Sequence, residues 1–463
     1  MGRPSEVLAT TATKIGTPAG KDVLYQDRVN PQWVRLLDVL QMNARYTRCE
    51  GTELFTEDGR RVLDFLSGYC VHNLGHNHPA VVEAIKDELD RHGPAMLQSH
   101  VPGLAGELAD KLCWRAGGRV SKAFFCSSGS EGVEAAIKFS RAHTHRNGVV
   151  YAEGAFHGLT CGALSLMGDP FWRESFGPML PETEAVPFAN LEALERKLST
   201  RRFAAFIVEP VQGEGGVRVP PPAYLEMAQG LCRRYGTLFV VDEVQTGLYR
   251  TGRFLASHHF NVEPDMVILA KALSGGLIPS GALLMSEEVY GSVYGSLARA
   301  IVHTSTYSEN SLAMRAGLAA IEALEREHLG DRALAAGDFL RTRLRDALSG
   351  YEMVKEVRGL GLLSGIEFQT PHKFALRVPF EAFAKIHPGM FGQVVVMRLF
   401  RQGFLTQMCG NNFMVLKVSP PLIVNEREAD AFVHAVGEVV EMMHSSGTFW
   451  SEAMGLAQRA ILK

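Results

Sequence analysis

Residues 238–276 read LFVVDEVQTGLYRTGRFLASHHFNVEPDMVILAKALSGG, and two apolar runs inside this stretch set the architecture. Leu238-Phe239-Val240-Val241 and Met266-Val267-Ile268-Leu269-Ala270 are short and apolar at consecutive positions, the pattern of strands covered on both faces in a parallel sheet. Each stops at a charged residue, the first at Asp242-Glu243 and the second at Lys271. Working outward, the pattern recurs at Ala123-Phe124-Phe125-Cys126, Gly148-Val149-Val150-Tyr151 and Phe206-Ile207-Val208, with stretches of helical period between the runs. Alternating βα units from about residue 120 to 285 predict an α/β fold with a mainly parallel sheet.

The flanks read differently. After Pro31 a helical start is followed by the strand-like pieces Leu54-Phe55-Thr56 and Arg61-Val62-Leu63-Asp64-Phe65. From about residue 330 come a helix at 331–348, the strand-like Val354-Lys355-Glu356-Val357-Arg358, the stretch 362–368, the apolar run 413–418 and an amphipathic helix from about Glu426. These predict a smaller α+β domain at residues 331–463, completed by residues 1–75, beside a large domain at 76–330. At roughly 100 to 200 residues per domain, 463 residues suit that division. No internal repeat or low-complexity linker intervenes, so the domains are expected to pack together around a cleft.

Composition narrows the partners. Lys+Arg 47 against Asp+Glu 50 gives a formal net charge of -3 without a basic block, which disfavours nucleic acid and anionic membranes and leaves small molecules. Forty-six glycines exceed the usual share of about 7%, which suggests tight turns and close backbone approach to a ligand. Seven cysteines, at 49, 70, 113, 126, 161, 232 and 409, form no CxxC pair, so a reduced, cytoplasmic setting is expected. The opening MGRPSEVLATTATKIGTPAGKD lacks an apolar core and reads as a mobile arm rather than a transit peptide.

In an open parallel sheet the ligand crevice lies outside the carboxyl ends of the strands, so the residues after each run carry the chemistry. The first run ends in Ser127-Ser128-Gly129-Ser130-Glu131 before a helix, where exposed N–H groups and partial positive charge make a phosphate cradle. Ser128 and Glu131 also have capping-box spacing, so a purely structural role competes evenly. The second run leads to Phe156-His157-Gly158; an aromatic there can cover a planar ring, although a lone Phe is more often core. The third ends at Glu209-Pro210 and Gln212-Gly213-Glu214-Gly215-Gly216, which is neither a dinucleotide fingerprint nor a P-loop. Lys271 stands 29 residues after Asp242 among small apolar residues, where burial would lower its pKa and expose the neutral amine that a Schiff-base lysine needs. A phosphate cradle, a ring-covering aromatic, a carboxylate and a desolvated lysine at neighbouring strand ends together suit pyridoxal phosphate.

These same residues carry a family likeness. VVDEVQTGLYRTG (240–252) and PDMVILAKALSGG (264–276) resemble the signature of class III aminotransferases, the family of the ornithine, acetylornithine, putrescine and other ω-amino enzymes. The resemblance continues through NLGHNHP (73–79), SSGSE (127–131), FHG (156–158), VEPVQGEGG (208–216), VRGLGLLSGIE (357–367) and PPL (420–422). It implies a fold-type I pyridoxal-phosphate enzyme, a homodimer with shared active sites, moving an amino group from an ω-amine donor to a 2-oxo acid by a ping-pong mechanism. Carried over by position, Lys271 would be the Schiff-base lysine and Asp242 the partner of the pyridine nitrogen. Ser128, Gly129 and Ser130 would hold the phosphate, Phe156 would stack on the ring beside His157 and Glu209, and Gln245 would lie near the ring hydroxyl. Thr306 would reach the phosphate of the neighbouring subunit.

The likeness also redirects two motifs and leaves three departures. His72, His76 and His78 are spaced like metal ligands, but the family has a structural turn there, so no metal is expected; Gly359-Leu360-Gly361 becomes part of a small-domain strand. Many relatives place an arginine near the Pro-Pro-Leu stretch to fork onto a substrate carboxylate, shielded by a glutamate matching Glu214. Here Lys417 stands in that region, a point charge without the planar fork, which favours an ω-amine such as a diamine over an α-amino acid. Thr306-Tyr307-Ser308-Glu309-Asn310 replaces a glycine-rich turn, and the aromatic stretch 369–402 is expected to line the mouth of the site, with Tyr69 as a pocket wall. An aminomutase, a decarboxylase or a non-catalytic cofactor-binding protein would share this frame, and carbon balance separates the reactions.

Overall fold

A computed structural model describes residues 18–462 except 98, 387, 388 and 446. The expected N-terminal arm lies outside the described residues as far as residue 17, and a helix follows at Pro18–Arg28. All five apolar runs are strands of one seven-stranded sheet. Its order is Val120–Cys126, Gly281–Ser286, Met266–Leu269, Leu238–Asp242, Phe203–Val208, Gly148–Ala152 and Thr183–Val186. Only Gly281–Ser286 runs against the rest, antiparallel to both neighbours. Five of the seven strands are buried at every position, which explains their largely unbroken apolarity.

Two smaller sheets carry the flanks. Val354–Leu360, Leu363–Phe368, Asn412–Val418 and Gln407–Cys409 form one antiparallel sheet. Tyr46–Glu50, Glu53–Thr56 and Arg61–Asp64 form the other, and Phe404–Leu405 joins its edge parallel to Leu63–Asp64. The helix Pro31–Val39 begins where expected, because Asn30 Oδ1 accepts from the Trp33 N–H at 3.0 Å and Pro31 needs no partner for its missing N–H. Among the described residues, no helix is long and apolar enough to cross a membrane.

Arg250 ties these parts together. Its side chain is fully buried and donates to Asn73 Oδ1 at 2.6 Å, Ser67 Oγ at 3.2 Å, the Leu362 carbonyl at 3.1 Å and the Pro420 carbonyl. Residues from both chain ends thus converge on one guanidinium beside the central strands. Burial lowers its pKa, and neutral acceptors rather than a carboxylate spread its charge.

The aromatic stretch 369–402 mostly does something other than expected. It forms the helices Phe374–Ile386 and Met390–Arg401. Phe391 packs edge-on against Phe368 and Phe380, with ring centroids 5.4 and 5.2 Å apart, and near Phe449. Among the described residues of this stretch only Gln393 lines the cavity described below; Phe380, Phe391 and Phe400 are core, and Phe374 is exposed.

Candidate active site

The carboxyl ends of the parallel strands open into a cavity of about 1130 Å³. It is lined by Ser127–Ser130, Phe156–Gly158, Glu209, Asp242, Gln245 and Lys271 from the large sheet, and by Tyr69 and Glu214. The helix Pro31–Val39, the loop around Trp172, residues from 274–280 and the sheet holding Gln407–Cys409 and Asn412–Val418 supply further wall.

Lys271 follows the extended Ala270 and adopts a left-handed backbone, with φ of 48°, before a short 3-10 turn. A non-glycine residue pays for that conformation, and here the turn aims the chain out of the strand end. The backbone continues through Gly275 at φ 65° and Gly276 at φ 81°; a Cβ on Gly276 would lie 2.5 Å from His72 Nδ1. Burial lowers the Lys271 pKa, opposed by the nearby Cys70 and Glu214 and reinforced by Lys417.

Beside it, Asp242 Oδ2 lies 2.8 Å from His157 Nδ1, and its other oxygen accepts from the Val244 N–H at 3.0 Å. Burial works against a charged imidazole, but the hydrogen bond and charge of Asp242, with Glu209 nearby, outweigh it and raise the His157 pKa. His157 Nε2 is buried without a hydrogen-bond partner. Glu209 accepts from the Phe156 N–H at 2.9 Å and the Gly213 N–H at 3.0 Å. Burial still dominates and pushes its carboxyl up to about 7. The three side chains form a buried cluster.

At the first strand end, the helix Gly129–Thr144 starts with both proposed roles partly realised. Ser128 Oγ accepts from the Glu131 N–H at 3.2 Å, while Glu131 Oε2 reaches back to the Ser127 N–H at 2.6 Å. The serine is therefore a helix cap, and the reciprocal bond falls one residue earlier than in the usual box. The N–H groups of Gly129 and Ser130 have no intrahelical partner and lie at the cavity wall. Gly158, at φ 116°, crosses so closely that a Cβ there would lie 2.1 Å from Ser130 Oγ.

The substrate-side expectations meet a closed pair. Lys417 is completely buried and its Nζ donates to Glu214 Oε1. Glu214 also accepts from the Gly410 N–H at 2.8 Å and Gln245 Nε2 at 3.1 Å. Burial opposes its charge, but Lys417 prevails and lowers the carboxyl to about 2, while Glu214 in turn raises the lysine against the cost of burial. Tyr69 lies over the ammonium at 5.0 Å from ring centroid to Nζ, in a run of left-handed residues from Ser67 to Cys70.

The structure thus brings eleven of the thirteen expected side chains to one cavity: Ser128, Gly129, Ser130, Phe156, His157, Glu209, Asp242, Gln245, Lys271, Tyr69 and Glu214. It does not bring Lys417 to the wall, because Glu214 holds the ammonium beneath it. Thr306 is exposed, outside its own chain's cavity. The spaced histidines are engaged separately, His76 with Asp64 at 2.8 Å and His78 with Glu327 at 3.1 Å. Sequence reasoning missed Trp33, Leu36, Phe171, Trp172, Met408 and Phe413 as wall residues. Their only signal was large apolar side chains, with nothing local to say which elements meet.

The family described as Aminotransferase class-III matches residues 37–440. The aminotransferase PigE of Serratia sp. (strain ATCC 39006) is 36% identical over 458 residues, which cover 92% of this chain and 54% of that protein. The chain therefore spans about half the length of this curated relative. The ornithine aminotransferase of Toxoplasma gondii, in a structure with partial occupancy of PLP at its active site, superposes with a TM-score of 0.82 at 28% identity, covering 95% of this chain and 97% of that one. Acetylornithine aminotransferase from Elizabethkingia anophelis gives a TM-score of 0.70 at 27% identity over 88% of this chain and 98% of its own.

Proposed function

The chain belongs to the class-III aminotransferase family, and on that premise we propose that it moves an amino group from an ω-amine donor to a 2-oxo acid by a ping-pong mechanism, with Lys271 and Asp242 at its centre. The observation that carries this reading is the meeting of a desolvated lysine, a histidine-braced aspartate and an open helix N-terminus at neighbouring ends of one parallel sheet.

Family members depend on pyridoxal 5'-phosphate, and the residues here fit it. Gln245 Oε1 is a buried acceptor without a partner, the N–H groups of Gly129 and Ser130 are unspent, and Gly158 leaves the space above Ser130 that a side chain would fill. Gly129 and Ser130 would hold the phosphate, Phe156 the ring face, Gln245 the ring hydroxyl, Asp242 the pyridine nitrogen and Lys271 the aldehyde carbon. When bound, the cofactor supplies an electron sink for the carbon that loses its proton.

The chain's own groups do the rest. Lys271 Nζ, kept neutral more readily by burial, takes the proton from the amine-bearing carbon and returns one to the product side. Asp242 holds negative charge in a buried site, and the His157 Nδ1–H keeps the carboxylate in one orientation. The closed Glu214–Lys417 pair supports an ω-amine over an α-amino acid, because no guanidinium is among the described lining residues of this chain to receive an α-carboxylate.

Two further readings belong to the proposal. A small domain drawn from residues 1–75 and 331–463 is supported by the pairing of Leu63–Asp64 with Phe404–Leu405. A homodimer with shared sites is supported by the exposure of Thr306 away from its own cavity.

The test is a half-reaction on purified holoenzyme and on Lys271→Ala. Wild type should lose the cofactor's visible absorbance when an amine donor is added and regain it with a 2-oxo acid. Lys271→Ala should retain cofactor only noncovalently and turn over at least about 10³-fold more slowly. Normal turnover in Lys271→Ala would remove the lysine from the mechanism.

A further inference from the structure

The cavity wall beyond the strand ends is built from Trp33, Leu36, Phe171, Trp172, Met408 and Phe413. The one polar side-chain atom of Trp172 is consumed internally. Trp172 Nε1 donates to Asn411 Oδ1 at 2.7 Å, and Asn411 is itself fixed by donating to the carbonyls of Gly154 and Ala155 at 3.1 and 2.9 Å. The indole therefore offers the cavity carbon rather than a donor, and Phe156 and Phe171 pack edge-on against it at 5.5 and 5.3 Å. Gly410 brings this aromatic group beside the charged pair, since a Cβ on it would lie 3.5 Å from the Trp172 ring and 3.2 Å from Glu214 Oε2.

Charge points the same way. Asp169, Glu209, Glu214 and Asp242 line the cavity, while Lys271 is the only lysine or arginine among the described lining residues. Glu214 is neutralised from behind by Lys417, and Asp169 already accepts from the Phe171 N–H at 2.9 Å. A carboxylate on the far end of a substrate would leave water without meeting a free cation among this chain's described lining residues beyond Lys271, whereas an alkyl or aryl chain meets matching surface.

We propose that the amine or carbonyl compound exchanged at this site carries an uncharged apolar chain, which lies against the Trp172 wall while its reacting end meets Lys271. This inference rests on the aminotransferase reading of the cavity. In the exchange a primary amine loses its nitrogen and one hydrogen from the same carbon and gains oxygen from water, leaving an aldehyde. The nitrogen passes to a 2-oxo acid in the second half-reaction, so no outside oxidant is needed.

Three donors of equal length, differing only at the far end, test this on the holoenzyme: n-octylamine, 8-aminooctanoic acid and 1,8-diaminooctane. Octylamine should show a kcat/KM at least about tenfold above either charged analogue, and shortening it to butylamine should cost roughly fourfold per methylene removed. Phe413→Asp should cut the octylamine-to-butylamine ratio by about tenfold or more. Equal or better use of the aminooctanoate or the diamine, or no dependence on chain length, overturns the proposal.

Binding supplies a readout independent of turnover, because two of the four tryptophans, Trp33 and Trp172, line the cavity. Titration with 1-octanol should change tryptophan fluorescence saturably at far lower concentration than 1-butanol, and Trp172→Phe should reduce the change. If octanol binds this way but no amine reacts, the aminotransferase reading fails while the apolar pocket stands. If octanol does not saturate, the apolar-chain proposal fails even where amines react.

Discussion

Replacing Lys417 by methionine isolates what holds the substrate side of the cavity shut. The side chains are similar in length, so Lys417→Met removes the charge from a fully buried position while largely keeping its volume. Glu214 keeps its hydrogen bonds from the Gly410 N–H and Gln245 Nε2 but loses its cation. In the native protein the carboxyl falls from 4.5 to about 2, worth roughly 3 kcal/mol at neutral pH, which agrees with the usual 3 to 5 kcal/mol for breaking a buried pair on one side. Urea titration at pH 7 should therefore show Lys417→Met destabilised by about 3 kcal/mol. The double change Glu214→Gln with Lys417→Met removes both charges and should recover most of the loss.

The pH dependence has a definite sign. A depressed carboxyl contributes stability that is present above its unfolded value of 4.5 and is lost as pH falls through about 2, so wild type keeps the contribution at both pH 5 and pH 8. In Lys417→Met burial is no longer outweighed and raises the carboxyl, so the variant loses stability as pH rises. The gap between wild type and variant should widen from pH 5 to pH 8. A gap below about 0.5 kcal/mol, independent of pH, would show that the pair does not carry its charges buried in solution and would refute the reasoning.

Other perturbations probe the cofactor side. Glu209 is the opposite case, raised from 4.5 to about 7, so its contribution is complete below 4.5 and disappears as pH rises through 7. Glu209→Gln should flatten that part of the stability-against-pH curve, and identical slopes for both proteins would contradict the assignment. Asp242→Asn leaves one carbonyl oxygen where both His157 and the Val244 N–H need an acceptor, so about 1 to 3 kcal/mol of stability and 10²- to 10⁴-fold in turnover should be lost; activity near wild type would argue against its role. Gly158→Ala places a methyl 2.1 Å from Ser130 Oγ at φ 116°, and should cost about 1 to 3 kcal/mol and loosen the cofactor, read as absorbance retained after dialysis.

How much of this was legible follows from the range of each interaction. The strands at 238–242 and 266–269 announce themselves because a buried parallel strand must be apolar throughout, and Asp242 and Lys271 are visible as the charges that end them. The helix at 129–144 and its cap are equally local, a matter of spacing between Ser128 and Glu131. The antiparallel insertion of Gly281–Ser286 between two strands was not legible, since direction is set by partners and not by the run itself.

Lys417 shows the limit most clearly. Its sequence context marks it as the residue near the substrate, but only the fold brings Glu214, 203 positions earlier, onto its ammonium and so turns a candidate carboxylate receptor into a neutralised, buried pair. The aromatic wall is similar: Trp172 and Asn411 are 239 residues apart, and nothing local says that they bond. The sequence by itself determined five of the seven strands of the large sheet, where those strands end and which charges stand there, because burial and capping act over a few neighbouring residues. Tertiary structure alone decided which of those charges remain available and what surface faces them, because charge pairing and desolvation depend on distances that only the folded chain creates.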